Sequence, residues 1–242
     1  MKKILILFIA MSLTSCASKE PPFDAKSTFT RAEEKMVNEE FEDARKGYQM
    51  IQEKSPDRSF DPVLMLRIAD TYFGEKKYSE AQVEYLAFLN YHPVHRDAAY
   101  AQYQVAMCNY KQLTTIDRDP TPNQVVIKEM RKLLEKYPKS IYTDEANRYI
   151  DICRDRLARY EFYVANFYYK KDSYVAAANR WEKLLKNYPG SSVEADALYY
   201  AGLSYMQLGE REKARTKFEM LAKQFPDMKS KALSHLNSLN KQ

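Results

Sequence analysis

The amino-acid sequence predicts an all-α fold, and three observations support this prediction. Glycine is rare, with 5 in 242 residues, and the ten prolines stand between the amphipathic runs and not inside them. Apolar residues recur at spacings of three and four along almost the whole chain, which is the period of a helix with one buried face. No stretch alternates polar and apolar residues as a half-buried strand does. We therefore expect helices throughout.

Five prolines divide the helical part of the chain into units of similar length. Each closes an amphipathic run, at Pro56, Pro93, Pro138, Pro189 and Pro226, with successive spacings of 37, 45, 51 and 37 residues. A tetratricopeptide repeat has ~34 residues in two antiparallel helices, A and B, and ends at a proline. The spacing therefore predicts a solenoid of five such helix pairs. A single irregular helical bundle is the alternative.

Positions inside the units support the repeat prediction. The repeat requires a small residue within helix A, an aromatic three residues on, alanine early in helix B and an aromatic four residues after it. The last unit has all of them, at Gly202, Tyr205, Ala214 and Phe218. The first unit fits less well, because Lys35 stands where an aromatic is expected, and the third keeps Ala106 but has Val126 and Met130 in helix B. Small residues allow two helices to approach closely, and the aromatics fill the space between them.

Two departures from the repeat define the expected organisation. Residues 114–121, with Pro120, form an insertion that predicts a loop between the third pair's helices. Asp144 to Lys171 contains neither proline nor glycine and predicts one helix near 40 Å long at ~1.5 Å per residue. We expect this helix to join two halves, residues 27–142 with repeats one to three and residues 143–242 with repeats four and five. Ser230 to Leu239 predicts a polar capping helix at the C-terminal end.

The N-terminus predicts export and lipidation. Lys2 and Lys3 precede an apolar run, Ile4 to Met11, which is far shorter than the ~20 residues of a membrane-spanning helix. Leu13-Thr14-Ser15-Cys16 has the pattern of a bacterial lipobox, so residues 1–15 are expected to be a signal peptide and Cys16 the lipidated residue. Residues 16–26 then form a tether. Ala17, by resemblance to lipoprotein sorting in enterobacteria, favours the outer membrane. An ordinary signal peptide with an incidental cysteine is the alternative.

The composition argues against several classes of function. Without the signal peptide, 36 basic and 33 acidic residues leave a net charge of +3, too little for nucleic-acid binding, which requires a concentrated basic face. We find no catalytic residues and no motif for a cofactor. His92 and His95 flank Pro93, but they lack a third ligand nearby, so no metal site is expected. Cys108 and Cys153 are expected to be buried and not disulfide-bonded.

The sequence also predicts a peptide-binding groove. One face of each helix A in the first three repeats is rich in aromatic residues and methionine, and helix A faces line the inner wall of such solenoids. This face could accept an extended peptide with alternating apolar side chains. Alternatively, the same residues simply pack the core of the superhelix. The predicted lining residues are Phe29, Met36, Leu66, Phe73, Tyr100, Tyr103, Met107 and Tyr110.

Four segments resemble a known family. They are Arg118-Asp119-Pro120, Leu134-Glu135-Lys136-Tyr137-Pro138, Asp155-Arg156-Leu157-Ala158-Arg159-Tyr160-Glu161 and Ala178-Asn179-Arg180-Trp181. Together with the lipobox, the inserted loop and the long helix, they resemble BamD, the tetratricopeptide lipoprotein of the outer-membrane β-barrel assembly machine. The run from Asp155 to Glu161 is the most specific segment.

The resemblance implies a binding protein without enzymatic activity or cofactor. It implies that the C-terminal half binds the barrel subunit BamA and that the N-terminal half binds C-terminal segments of unfolded barrel proteins. Other lipoproteins of the machine would be further partners, on the periplasmic side of the outer membrane. Arg180 stands where the family has an arginine tied to BamA, and it is expected to point outward. A lipoprotein for pilus assembly or for coordination of the cell wall is the alternative.

Overall fold

The structure, a computed structural model, describes residues 23–241 and is all-helical over that range. Five antiparallel helix pairs follow one another and a last helix packs against the fifth, as the repeats predict. The helices are α1 (Ala25–Val37), α2 (Phe41–Lys54), α3 (Asp61–Gly74), α4 (Tyr78–Tyr91), α5 (Ala98–Lys111), α6 (Thr121–Lys136), α7 (Thr143–Lys170), α8 (Tyr174–Asn187), α9 (Glu194–Gln207), α10 (Arg211–Gln224) and α11 (Lys229–Lys241).

The ends of the helices recur in register, for identifiable reasons. Every helix B ends two residues before one of the five prolines, which cannot continue a helix. In four pairs, the residue two positions after helix A has a positive φ, which reverses the chain into helix B; these residues are Glu39, Lys76, Asp172 and Gly209. The third pair instead has the inserted loop between α5 and α6. The expected insertion is therefore confirmed as a loop.

The core confirms the register of the repeats. The alanine early in helix B is fully buried in four pairs, at Ala44, Ala81, Ala177 and Ala214. The helix B aromatics Tyr48, Tyr85, Trp181 and Phe218 are also fully buried, and Met130 takes this place in the third pair. Gly202 allows a close approach of two helices, because a Cβ there would lie 2.7 Å from the ring of Phe218. Lys35, where an aromatic is missing, forms an ion pair with Glu40.

Helix α7 has 28 residues and serves two repeats. Its first half, through Ile150 and Leu157, completes the core of the third pair with α5 and α6. Its second half, through Ala158 and Ala165, packs in the core of the fourth pair with α8 and α9. The predicted long helix is therefore confirmed. It joins the two halves through a shared element, and the two cores meet near Leu157.

Candidate functional site: an aromatic groove and a partner surface

Five tyrosines form a continuous ladder along helices α5 and α7. Tyr103 stacks on Tyr142 at 4.9 Å between ring centroids, and Tyr110 meets Tyr149 edge-on at 4.6 Å. Tyr100 lies 6.1 Å from Tyr142, and Tyr103 lies 6.4 Å from Tyr149. All five rings are partly exposed. This tyrosine ladder (Tyr100, Tyr103, Tyr110, Tyr142 and Tyr149) presents an aromatic surface that extended apolar side chains can contact.

A polar cleft of about 420 Å³ lies at the Tyr100 end of the tyrosine ladder. Asp70 forms part of its floor and accepts hydrogen bonds from Tyr85 Oη at 2.6 Å and Tyr100 Oη at 2.7 Å. The guanidinium of Arg67 lies 3.4 Å from Asp70 and 2.9 Å from Glu33. Burial raises the pKa of Asp70 above its ordinary value, although these hydrogen bonds act in the opposite direction. The network fixes Tyr100 and therefore one end of the ladder.

The structure brings together only part of the predicted groove lining. Tyr100, Tyr103 and Tyr110 lie on the ladder, whereas Met107 is buried in the third core at 6% exposure. Leu66 is 7% exposed and lines the polar cleft beside Tyr100. Phe73 packs between the cores of the second and third pairs. Met107 and Phe73 therefore support the wall of the groove more than they line it.

Phe29 and Met36 belong to a different place. Both pack against the core of the first pair, where Phe29 lies 5.7 Å from the ring of Tyr48. They do not belong to the aromatic cluster of α5 and α7. For these two residues, the alternative of simple core packing describes the geometry better.

The sequence analysis missed Tyr142 and Tyr149, which complete the tyrosine ladder. The signal was present, because these residues are seven apart, as are Tyr103 and Tyr110; Tyr142 directly precedes the next helix A, and Tyr149 lies two turns into it. Seven residues are two helical turns, so such pairs lie on one face and can align along two neighbouring helices. The predicted peptide-binding half ended at residue 142, so the continuation of the ladder onto α7 was not predicted.

Arg180 has a partner within the chain. Its guanidinium lies 3.0 Å from Glu161 Oε2 on α7, and Lys183 Nζ lies 2.6 Å from Glu161 Oε1. The Glu161 side chain is only 6% exposed, whereas that of Arg180 is 36% exposed. Arg180 therefore does not project freely into solvent as the register suggested. It holds a buried carboxylate, and part of its guanidinium stays accessible.

The segment Asp155 to Glu161, the most specific of the sequence motifs, ties three parts of the chain together. Asp155 Oδ1 accepts a hydrogen bond from the backbone N–H of Ser192 at 2.7 Å. Arg156 donates to Asn123 Oδ1 at 3.0 Å and to the backbone carbonyl of Thr114, in the inserted loop. Glu161 binds the two cations of α8 described above. The motif thus fixes α7 to the loop before it and to the two elements after it.

The remaining sequence predictions concern the lipidated cysteine, membrane-spanning helices, metal ligands and the two other cysteines. Cys16, the signal peptide and the first residues of the tether lie outside the described residues. Within residues 23–241, no helix combines the length and the apolar character needed to cross a membrane, and no three His, Cys, Asp or Glu side chains cluster as metal ligands would. Cys108 and Cys153 are free thiols, as expected, and burial raises their pKa values to about 12 and about 11.

The helix pairs, their register and the exposed aromatic ladder define a tetratricopeptide-repeat solenoid, a class whose extended surfaces bind other polypeptides. A family model described as "Outer membrane lipoprotein", YfiO, matches residues 22–221. The chain belongs to this family, which is the BamD family that the sequence motifs indicated.

Relatives with similar sequences agree with this assignment. The chain is 28% identical to the outer membrane protein assembly factor BamD of Rickettsia prowazekii, over 93% of this chain and 91% of the relative. It is 24% identical to BamD of Neisseria meningitidis serogroup A, over 97% and 95% of the two chains. Among solved structures, the TPR2AB domain of yeast Sti1 in a pHSP90 complex matches with a TM-score of 0.47 and 12% identity, covering 84% of this chain and 78% of that one.

Proposed function

We propose that this protein is a non-catalytic, lipid-anchored scaffold of the machine that assembles β-barrel proteins into the outer membrane. The N-terminal half, together with the first turns of α7, binds segments of unfolded barrel proteins. The rest of the C-terminal half binds the BamA-like barrel subunit and, with it, the other lipoproteins of the machine. The family assignment and the names of the relatives support the assembly role. No nucleic acid takes part.

The tyrosine ladder is the observation that carries the binding proposal. A barrel strand alternates lipid-facing and lumen-facing side chains, so an unfolded strand offers an apolar residue at every second position. Five partly exposed rings across α5 and α7 offer successive contacts for such residues. Tyrosine also has a hydroxyl that can bind the exposed backbone of an extended peptide. The ladder is therefore suited to many barrel sequences.

The anchor in this proposal is Cys16. Residues 1–15 direct export and are removed, the thiol of Cys16 receives the lipid, and residues 16–26 tether the solenoid to the periplasmic side of the outer membrane. Buried acyl carbons contribute ~0.8 kcal/mol per CH₂ to membrane affinity.

Co-purification from solubilised membranes tests the assembly role. We expect the wild-type protein to bring down a BamA-like barrel protein, and Cys16→Ala to leave the membrane fraction or remain as precursor. Recovery of a secretin or a cell-wall enzyme in place of the barrel protein would overturn the proposal. A mature N-terminus without lipid, shown by mass spectrometry, would overturn the anchor alone.

A peptide titration tests the groove. Tyr103→Ala combined with Tyr149→Ala should weaken binding of a barrel protein's C-terminal peptide by ~2 kcal/mol, or about thirtyfold, because aromatic anchors are lost. The matched control is Tyr91→Ala with Tyr163→Ala, since both rings are exposed outside the ladder, at 71% and 51%. The helical circular dichroism of both variants should stay unchanged. Equal peptide affinities in the two double variants would exclude the ladder as the binding site.

A further inference from the structure

A second cleft lies on α6, facing α7 and the end of α8, and it is strongly basic. Its volume is about 450 Å³, and four of its lining side chains are cations: Lys128, Arg131, Lys132 and Arg154. Its floor includes Ile127, which is 8% exposed, and the half-buried ring of Tyr188. The cleft therefore combines an apolar floor with a cationic rim.

The positive charges of this basic cleft are only partly neutralised by the chain. Lys132 is paired with Glu129 at 2.9 Å, and Glu135 is the one acidic side chain among the described residues that line the cleft. Lys128 and Arg131 are exposed, and neither forms an ion pair within the described part of the chain. Among residues 23–241, Arg154 donates only to the backbone carbonyl of Asn187, at 3.3 Å. A surplus of positive charge thus remains on a chain whose overall balance is nearly even.

The basic cleft is separate from the tyrosine ladder. Arg154 and Tyr149 lie on the same helix, but five residues at ~100° each place them about 140° apart around its axis. The remaining cations of the cleft come from α6, which contributes no residue to the ladder. A ligand in the cleft therefore leaves the ladder accessible.

The shape and the chemistry of the cleft favour an acidic polypeptide over a membrane surface. An anionic bilayer is broad and flat, and it would meet cations on a convex face more readily than those around a concave cleft with an apolar floor. Two of the cations are arginines, whose planar guanidinium matches the two oxygens of a carboxylate. The floor of Ile127 and Tyr188 suits the methylene groups of glutamate side chains or an apolar residue between two acidic ones. A volume of this size accommodates a few side chains.

We propose that the basic cleft of α6 and α7 is a second docking site that binds an acidic segment of a protein partner. Arg131 and Arg154 bind carboxylates of the segment, Lys128 adds longer-range attraction, and Ile127 with Tyr188 contacts its carbon chains. This site acts independently of the tyrosine ladder, so one solenoid can hold an apolar client segment and an acidic partner segment together.

Titration with acetylated hexaglutamate, followed by amide NMR shifts at low salt, tests the proposal. Shifts should concentrate at residues 124–135, at Arg154 and at Tyr188. Lys128→Gln with Arg131→Gln should lower the affinity about tenfold, since two exposed charge pairs are lost. The control variant, Lys223→Gln with Lys229→Gln, removes two equally exposed charges elsewhere and should change the affinity less than twofold.

Three results would overturn the proposal. The first is equal loss of affinity in the two double variants, which would indicate non-specific attraction. The second is absence of hexaglutamate binding at low salt. The third is binding to phosphatidylglycerol vesicles, lost in the cleft variant, without a cleft-specific response to hexaglutamate, which would assign the cleft to a membrane surface. None of these results bears on the tyrosine ladder, whose own variants are tested with a different peptide.

Discussion

At the scale of single residues, Glu161 shows how one buried charge constrains its surroundings. Its carboxylate is almost fully buried and forms ion pairs with Arg180 and Lys183. Removing either cation leaves a buried charge with one partner, and breaking such pairs is destabilising. A variant of Arg180 therefore affects both the fold and any interface at this position, so the two effects must be separated by design.

Paired variants of the two cations separate these effects. Arg180→Gln and Lys183→Gln each remove one partner of Glu161, and each should lower the free energy of unfolding by about 1–2 kcal/mol, because the other cation remains. If Arg180 also contacts the barrel subunit, only Arg180→Gln should weaken binding to the subunit's periplasmic domain in calorimetry. Equal affinities for the two variants would limit Arg180 to its role in the fold. Arg180→Glu is a poorer choice, because it places two carboxylates together.

Asp70 gives a prediction of pH dependence. Because its folded pKa is raised, the folded carboxyl keeps its proton at pH values where the unfolded one has lost it, so ionisation opposes folding. This penalty is absent below the unfolded pKa of ~3.9 and grows as the pH rises through the raised folded pKa. Asp70→Asn retains an oxygen for Tyr85 and Tyr100 and avoids the penalty.

The melting temperature of Asp70→Asn should therefore rise relative to the wild type as the pH increases from ~4 to 7. Thermal scans at several pH values measure this difference. Asp151→Asn, at an exposed site on α7, is the control and should show no such trend. A lower melting temperature of Asp70→Asn at pH 7 would mean that the ion pair with Arg67 outweighs the cost of burial.

At the scale of elements, α7 organises the middle of the molecule through Arg156. This side chain reaches from α7 to the carbonyl of Thr114 and to Asn123, and Asn123 is itself only 7% exposed. The inserted loop is thus held against the long helix by a charged donor. Hydrogen bonds from charged groups contribute ~1.5–3 kcal/mol.

Arg156→Ala should release the inserted loop. We expect faster amide hydrogen exchange in residues 113–120 and in the first turn of α6, with a loss of about 1–2 kcal/mol in the free energy of unfolding. Arg159→Ala, an exposed arginine on the same helix, is the control and should have little effect. Unchanged exchange in the loop would show that its packing, and not Arg156, determines its conformation.

The helix pairs could be predicted because their signals are local. A proline stands two residues after each helix B, and in four of the five pairs a buried alanine and a buried aromatic precede it at fixed spacing, so each repeat supports the others. The contacts between repeats could not be predicted. Arg156 and Thr114 are 42 residues apart, and Glu161 and Arg180 are 19 apart. Periodicity indicates which side of a helix is buried, but not how far one helix slides along the next.

The same limit applies to the groove. The apolar face of each helix A could be recognised in the sequence. Phe29 and Met36 lie on this face of α1, as Tyr103 does on α5, but they pack in a different core. Whether an aromatic closes a core or remains at the surface depends on the size of the residues opposite, which lie in another repeat. The seven-residue spacing of the tyrosines, which the sequence analysis did not use, indicates the ladder more directly than hydrophobicity does.

At the scale of the whole molecule, each repeat is stabilised mainly by the repeats next to it. The main packing joins helices that are neighbours in the chain. Each core is closed by the helix that follows its pair, and for the third core that helix is α7. Ala146, Ile150, Cys153 and Leu157 of α7 close it against α5 and α6. By contrast, the cores of the fourth and fifth pairs lie entirely within residues 158–239.

Two fragments cut at residue 142 should therefore behave differently. Fragment 27–142 lacks the α7 side chains that close the third core, whose burial is worth on the order of 5 kcal/mol. It should melt broadly and bind the dye ANS, as a loosely packed state does. Fragment 143–242 retains two complete cores and the cap, so it should melt cooperatively, with only the first turns of α7 frayed. Extending the N-terminal fragment to residue 157 should restore a sharp transition, as followed by circular dichroism. If fragments 27–142 and 27–157 melted alike, the third core would not depend on α7, and the two halves would be separable at residue 142.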